Sequence, residues 1–167
     1  QGLVEDTERC AVVQTLVNAL EGNECKVDVG ILGAKYVPRA LADNGHVELA
    51  YRLITQPEFP GWVHWLRDGA TTLRESWDDA NSRNHIMFGD ISAWFYNYLA
   101  GIRPDPVEPG FKRTLLKPQP VADLNWVHAR HRSPCGVIDV RWERQAGTVR
   151  YSIDIPAGTT ATFSPSG

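Results

Sequence analysis

Residues 62–94 read WVHWLRDGATTLRESWDDANSRNHIMFGDISAW, and this stretch holds four of the six tryptophans of the chain. It places a carboxylate, Glu75, among the tryptophans, and Trp77, Asn84 and His85 follow it closely. Flat indole faces cover the C–H faces of a sugar ring, while amide, imidazole and carboxylate groups bond its hydroxyls. The pattern has the groups that a sugar-cleaving site needs. Composition alone favours the alternative, in which the aromatics are core residues and the charges belong to a solvated loop.

The composition is that of a soluble globular protein, with 43% hydrophobic and 22% charged residues. A net charge of −3 gives no indication of a nucleic-acid or anionic-membrane partner. No apolar run approaches the ~20 residues of a membrane span. Cys10, Cys25 and Cys135 lie far apart without metal-ligand spacing, so we expect neither a metal nor a cofactor. The compartment stays open among cytoplasmic, periplasmic and secreted.

The first hundred residues have helical periodicity. The predicted helices span residues 5–20, 35–43, 46–55 and 85–99. Asn44-Gly45 predicts a tight turn, so the second and third helices form an antiparallel hairpin, with Pro38 in the first turn of its helix. Such hairpins build toroidal barrels, but a small helical bundle would give the same periodicity. The long irregular stretch 73–84 indicates a functional loop, because such connectors are uncommon inside compact domains.

The remainder of the chain has a period of two. Residues 103–110 hold three prolines and a glycine, which predicts a linker without helix or strand pairing. Strands are predicted at 111–117, 126–132, 136–143, 148–155 and 159–164, which indicates an antiparallel sheet or sandwich. Trp126 and Trp142 fall within strands, so we expect both in the core. Carbohydrate binding is the alternative role for these two side chains.

Residues 69–102 resemble the late active-site segment of bacterial α-L-rhamnosidases. The matching residues are Gly69, Ala70, Thr71, Thr72, Leu73, Glu75, Trp77, Asp78, Asn84, His85, Phe88, Gly89 and Trp94. Residues 28–62 resemble the preceding helical hairpin of that family, and residues 109–120 resemble the entry to its C-terminal β-domain. Arg74 departs from the pattern because the family usually has Trp there, which bears on the shape of the sugar subsite.

The resemblance implies an α+β chain in two parts. Residues 1–102 would be the C-terminal part of an (α/α)6 toroid of antiparallel helical hairpins. Residues 103–110 would be a linker, and residues 111–167 an antiparallel β-sandwich domain. The implied enzyme is an inverting glycoside hydrolase that cleaves terminal α-L-rhamnosyl residues.

The resemblance also implies roles for single residues. Glu75 would be the general base of the inverting reaction. The implied sugar-binding residues are Trp77, Asn84, His85, Trp62 and His64. A capping or core role is the alternative for His85, and Asp78 and Asp79 are interpreted as capping or solvated residues.

The family's general acid lies in an earlier motif that this chain does not contain. We therefore expect a C-terminal piece of a larger glycosidase that is inactive alone. Its expected partners are a rhamnose-containing glycoside or oligosaccharide, the remainder of the barrel, or a second copy bound through an exposed helical face. A non-catalytic carbohydrate-binding module and a structural module are the alternatives.

Overall fold

The computed structural model describes residues 4–165. The chain divides into two compact units between Ile91 and Ser92. Within residues 4–165, no helix has the length and apolar composition needed to cross a membrane.

The first unit is helical, as the periodicity predicts. Its helices are α1 (Asp6–Gly22), α2 (Ile31–Asp43), α3 (Val47–Thr55) and α4 (Trp62–Arg67). An irregular segment then leads to a 3₁₀ turn at Ile86–Gly89. The run continues as α5 (Asp90–Trp94), which crosses the division between the units, and ends in a π-helical turn at Phe95–Leu99.

The hairpin of α2 and α3 is confirmed. Gly45 has a φ of +86°, and the amide of His46 reaches back to the carbonyl of Leu41 over 2.9 Å. This geometry closes a helix with a residue in the left-handed region, which glycine adopts without strain. Leu41 and Leu53, one on each helix, are fully buried. The two helices therefore share an apolar core.

Two details of the helical prediction are wrong. Helix α2 begins at Ile31, so Pro38 is not in its first turn but inside the helix. The buried ring contributes apolar packing that offsets the backbone hydrogen bond lost at a proline. Helix α4 was not predicted, because its six residues are too few to establish a helical period.

The second unit contains two three-stranded sheets. The strands are β1 (Ile102–Pro104), β2 (Arg113–Leu116), β3 (Trp126–Ser133), β4 (Gly136–Gln145), β5 (Thr148–Asp154) and β6 (Thr160–Phe163). One sheet has the order β1-β2-β6 and the other β3-β4-β5. The five predicted strands are confirmed. Strand β1 is additional and includes residues 103 and 104, so the expectation that the linker makes no strand pairing is wrong there. Strand β1 lies at a sheet edge and ends at Pro104, a position where the missing amide costs no pairing.

Pairing in the second unit is antiparallel except between β2 and β6, which run parallel. The hairpin of β4 and β5 turns through Ala146 and Gly147, both with positive φ, which suits the twist of the two strands. Val140 of β4 lies opposite Ala129 of β3 and Ile153 of β5. These side chains form the inner face of that sheet and pack in the core of the unit.

The two strand tryptophans lie on opposite faces. Trp142 is fully buried, as predicted, and its indole N–H donates to the carbonyl of Leu99 over 2.7 Å. Trp126 is 61% exposed, so its prediction as a core residue is wrong. The pairing register explains the difference, because Val127 rather than Trp126 lies opposite Trp142 and faces inward.

Candidate active site

Residues 72–85 form a closed loop that carries Glu75. The amide of Glu75 donates to the carbonyl of Ser82, and the amide of His85 donates to the carbonyl of Leu73, each over 2.9 Å. The Thr72 hydroxyl donates to the carbonyl of Arg83. Bonds between the two arms make this a compact Ω-type loop, so Glu75 is held by backbone pairing in the absence of regular secondary structure.

Arg74 anchors the loop from inside. Its side chain is only 9% exposed, with Nη2 3.0 Å from Oδ2 of Asp68 and Nε 3.3 Å from Oδ1 of Asp79. Asp79 also receives Nη2 of Arg83 at 2.6 Å. The interpretation of Asp79 as a solvated or capping residue is therefore wrong, because two guanidinium groups bind its carboxylate. The departure at position 74 replaces an aromatic ring with the centre of an ion-pair network.

Asp78 has a local role in the same loop. Its Oδ1 accepts the amide of Ala80 over 3.3 Å. Hydrogen bonds from Ser76 and then from this amide hold the pKa of Asp78 below its usual range. This geometry agrees with the predicted capping role.

Four rings form an aromatic cluster beneath the loop: Trp62, Trp65, Trp77 and Phe88. The Trp77 ring lies at its centre, with centroids 4.1 Å from Phe88, 4.7 Å from Trp65 and 5.1 Å from Trp62. Tilted and edge-on rings at these distances attract each other beyond the burial of their area. The cluster thus fixes the loop to helix α4 and the 3₁₀ turn.

Each indole of this cluster uses its N–H on a backbone carbonyl. Trp77 donates to Val29 over 2.8 Å, Trp62 to Phe88 over 3.0 Å and Trp65 to Trp77 over 3.2 Å. The aromatics therefore pack against one another and against the backbone. We expected them to surround Glu75, but the contacts described for the Glu75 side chain are to Ser82 and His85 instead.

The Glu75 carboxylate is accessible and is oriented by neighbours on its own loop. The amide of Ser82 donates to its Oε2 over 3.2 Å, and Nδ1 of His85 lies 3.9 Å from the same oxygen. The side chain of Glu75 is 42% exposed, so water reaches it. Across residues 4–165, no lysine or arginine nitrogen lies within 4 Å of this carboxylate.

This isolation from cations distinguishes Glu75 from its acidic neighbours. Asp68 and Asp79 both pair with Arg74, and Asp90 accepts two hydrogen bonds from Arg39 at 2.7 and 2.9 Å. A neighbouring cation favours the charged form of a carboxylate and weakens it as a base. Among these four carboxylates, Glu75 is the one without an arginine nitrogen within 4 Å.

The structure gathers some of the predicted site residues and separates others. Asn84 is exposed and adjoins His85. The backbone amide of Asn84 donates to the Ser82 hydroxyl over 3.2 Å. Trp62 is buried and lines one wall of a cavity of about 250 Å³. The other lining residues of this cavity are Trp65, Leu66, Ala70, Thr71, Thr72, Leu73 and Ile91. The ring of His64 lies edge-on to Phe59 instead, with centroids 5.6 Å apart.

Sequence reasoning missed two residues that shape this loop. Ser82 binds the Glu75 carboxylate through its backbone amide, and a backbone contact leaves no signal in the residue type. Arg74 was detectable in the sequence, because it stands where the family pattern usually has Trp. Among the described residues, no group of three or more histidine, cysteine, aspartate or glutamate side chains is placed to hold a metal ion.

Comparison with protein families covers both units of the chain. Residues 1–99 match the model of the bacterial alpha-L-rhamnosidase 6 hairpin glycosidase domain. Residues 101–164 match the model of the bacterial alpha-L-rhamnosidase C-terminal domain.

Individual relatives agree with these matches. An alpha-L-rhamnosidase of Streptomyces avermitilis is 31% identical over 170 residues, covering 95% of this chain and 16% of the relative. The crystal structure of a Streptomyces avermitilis alpha-L-rhamnosidase complexed with L-rhamnose matches with a TM-score of 0.90 at 30% identity, covering 95% of this chain and 16% of that one. The alpha-L-rhamnosidase structure from Dictyoglumus thermophilum matches with a TM-score of 0.86 at 31% identity, covering 94% of this chain and 18% of that one. The chain thus spans about a sixth of the length of these relatives.

Proposed function

This chain belongs to the bacterial α-L-rhamnosidase family, and we propose that it forms part of a glycoside hydrolase that removes terminal α-L-rhamnosyl residues with inversion. In this proposal Glu75 is the general base. The general acid comes from a part of the enzyme outside these 167 residues. The substrate is a rhamnose-containing glycoside or oligosaccharide.

One observation carries the assignment of the base. Glu75 has a half-exposed carboxylate without a lysine or arginine nitrogen within 4 Å, oriented by the Ser82 amide and close to Nδ1 of His85. A general base must reach a water molecule and must keep its affinity for a proton. Free enzymes often show catalytic hydrogen bonds that are long and shorten in the complex with substrate. Nδ1 of His85 lies 3.9 Å from Oε2 of Glu75, beyond hydrogen-bond distance, and in this proposal the two groups approach when the sugar binds.

The proposed step follows inverting chemistry. Glu75 takes a proton from a water molecule while the water oxygen attacks the anomeric carbon of the rhamnosyl ring. The bond from that carbon to the glycosidic oxygen breaks, and the acid gives this oxygen a proton. Inverting enzymes hold the two carboxyl groups ~6.5–9.5 Å apart so that the water fits between base and sugar.

The remaining residues are proposed to bind the sugar. Asn84 and His85 stand beside Glu75 and would bond ring hydroxyls. Trp77 and Trp62 would offer apolar surface, Trp62 through the cavity that it lines. His64 is the fifth proposed contact, although its ring packs on Phe59 in this structure.

The test uses the longer enzyme that contains this chain, with Glu75→Gln as the variant. Loss of a general base lowers kcat by about 10²–10⁴-fold, while L-rhamnose binding should persist because the amide keeps the shape of the carboxyl group. Asp78→Asn is the matched control, a carboxylate of the same loop that caps Ala80 and should leave kcat near the wild-type value. Proton NMR of the first product should show β-L-rhamnose.

Two results would refute the assignment. An unchanged kcat in Glu75→Gln would show that Glu75 is not the general base. Release of α-L-rhamnose as the first product would show that the reaction does not invert. We also propose that residues 1–167 alone do not hydrolyse aryl α-L-rhamnosides, since the acid is absent. Turnover by this chain that Glu75→Gln abolishes would contradict that proposal.

A further inference from the structure

Trp126 differs from the other described tryptophans in its surroundings. Its side chain is 61% exposed, whereas Trp62, Trp65, Trp94 and Trp142 are each at most 4% exposed. The indole N–H groups of Trp62, Trp65, Trp77 and Trp142 all bond backbone carbonyls. In residues 4–165, the N–H of Trp126 has no partner. The Trp126 ring therefore presents an apolar face and an unused N–H donor to a ligand, as buried indoles cannot.

The ring lies beside a surface hollow. Trp126 begins strand β3, and the hollow beside it has a volume of about 500 Å³, within the range of small-ligand sites. Its lining consists of Asp123, Leu124, Asn125, Trp126, Val127 and His128. Alternation along β3 puts Trp126 and His128 on the outer face of the sheet, away from the core of the unit.

The segment that forms one side of the hollow is held in place. The amide of Arg144 donates to the carbonyl of Asn125 over 2.7 Å, and its Nη2 donates to the carbonyl of Val121 over 3.1 Å. The amide of Leu124 closes a turn onto the same Val121 carbonyl over 3.2 Å. A ligand at Trp126 would therefore meet a preformed surface and lose little affinity to ordering it.

Polar groups around the ring are available to a ligand. Asp123 and Asn125 are exposed, and their side chains have no bonding partner among the described residues. His128 uses Nε2 on Asp139 at 2.8 Å, which leaves Nδ1. A carboxylate, an amide and an imidazole nitrogen next to an exposed indole match the hydroxyls and the C–H face of a sugar ring.

We infer that this hollow is a second saccharide-binding site, built on Trp126 and separate from the residues that cleave. One pyranose ring stacks on the indole, and its hydroxyls bond Asp123, Asn125 and His128. The saccharide is neutral, because the carboxylate of Asp123 would repel an acidic sugar. The site belongs to the second unit of the chain, so the inference stands without the proposed role of Glu75.

The bound ring is either a rhamnosyl residue or another sugar of a rhamnose-containing oligosaccharide, and two probes distinguish these sources. The 167-residue chain is titrated with methyl α-L-rhamnopyranoside and with methyl β-D-glucopyranoside. The readout is the ¹⁵N–¹H indole signal of Trp126, identified by its loss in Trp126→Phe. We expect a saturable shift of this signal with at least one probe. The probe that binds with the higher affinity identifies the kind of sugar.

Variants locate the binding, and their affinities are measured by isothermal titration calorimetry because Trp126→Ala has no indole signal at this position. Trp126→Ala should weaken saccharide binding at least about tenfold, the loss expected for a central aromatic contact. Asn125→Ala should weaken it to a smaller extent. Phe163→Ala removes another exposed ring of the same unit and should leave the affinity unchanged. The buried indole of Trp142 reports in every variant that the second unit is folded.

Three outcomes would overturn the inference. The Trp126 signal could stay still with both probes, or Trp126→Ala could bind as tightly as the wild type. The signal could also respond to protein concentration and not to sugar, which would show that a second copy covers the ring. Failure at Trp126 would leave the kinetic test of Glu75 unaffected, because that test measures kcat in the longer enzyme.

Discussion

Nδ1 of His85 lies 3.9 Å from Oε2 of Glu75, and the two residues are on opposite arms of one loop. Leu73 accepts the amide of His85, so the backbone brings the imidazole to the carboxylate. His85 is therefore suited to orient Glu75 as well as to bond a sugar hydroxyl.

The first prediction separates these two roles in the longer enzyme. If His85 positions Glu75, His85→Ala should lower kcat by up to about a hundredfold, the cost of a displaced reacting group, with a smaller change in KM. The pH profile of kcat should change shape as well, because a neighbour of the base is gone. A rise in KM alone would identify His85 as a sugar contact only.

The second prediction concerns the ring at the centre of the aromatic cluster. Trp77→Ala should destabilise the first unit by about 3 kcal/mol, because it removes three ring contacts and leaves a cavity. Trp77→Phe keeps much of the packing but loses the bond to Val29, so it should cost about 1 kcal/mol. Urea unfolding measures both. Trp126→Ala is the matched control and should stay within about 0.5 kcal/mol of wild type.

The third prediction concerns Arg74. Arg74→Met keeps an apolar side chain of similar length but leaves Asp68 and Asp79 without this guanidinium, so we expect a loss of about 1–3 kcal/mol in unfolding free energy. Arg83→Met serves as the control, because Arg83 is exposed and its pair with Asp79 should contribute at most about 1 kcal/mol. Equal effects of the two variants would show that burial of Arg74 is unimportant.

The fourth prediction is a pH dependence of stability. Asp105 accepts Nε of Arg113 at 2.6 Å and the amide of Val107 at 2.7 Å, and these hydrogen bonds hold the pKa of its carboxyl below the usual range. A lowered folded pKa stabilises the protein fully above the unfolded value of about 3.9, and the effect is lost as the pH falls through the folded pKa.

Asp105→Asn should accordingly be less stable than wild type at pH 7, and the difference should shrink below about pH 4. Chemical unfolding at several pH values measures it. Arg113→Gln should reduce the same pH dependence, because it removes the main cause of the shift. A difference that stays constant across this range would contradict the assignment.

The fifth prediction is self-association through the first unit. Leu32 and Tyr36 lie one turn apart on α2, and Ile86 and Met87 lie on the 3₁₀ turn that packs near this helix. All four are exposed apolar side chains, and Ile86 is 84% exposed. Apolar surface of this kind favours association. Light scattering should show a mass that rises with concentration, and Ile86→Glu with Leu32→Glu should suppress the rise. A monomer at all concentrations would refute it.

The sequence predicted the family and the two-part fold better than it predicted the contacts between side chains. The resemblance of residues 69–102 is confirmed by the family matches, and helical and alternating periods located most elements. Alternation along β3 and β4 predicted two faces for each strand, but only the pairing register shows that Trp142 faces inward and Trp126 outward. The ion pair of Arg74 with Asp79 is likewise visible only in the fold, because the sequence favoured a capping or solvated role for Asp79.

The local pattern also left the order of the strands open. Short strands with turns between them predict antiparallel neighbours, because a tight turn reverses the chain. The pairing of β2 with β6 breaks this expectation, since the whole β3-β4-β5 sheet lies between them in sequence. The domain limits predicted at residues 102 and 111 stay predictions.

That parallel pairing has a consequence for synthesis on the ribosome. Strand β2 lies in the middle of its sheet, between β1 and β6. One of its edges stays unpaired until residues 160–163 of β6 have left the exit tunnel. An unpaired edge attracts strands of other nascent chains, and pairing between strands distant in sequence is slow. Premature termination before Thr160 would therefore yield a polypeptide with an unpaired β2 edge that aggregates with its neighbours.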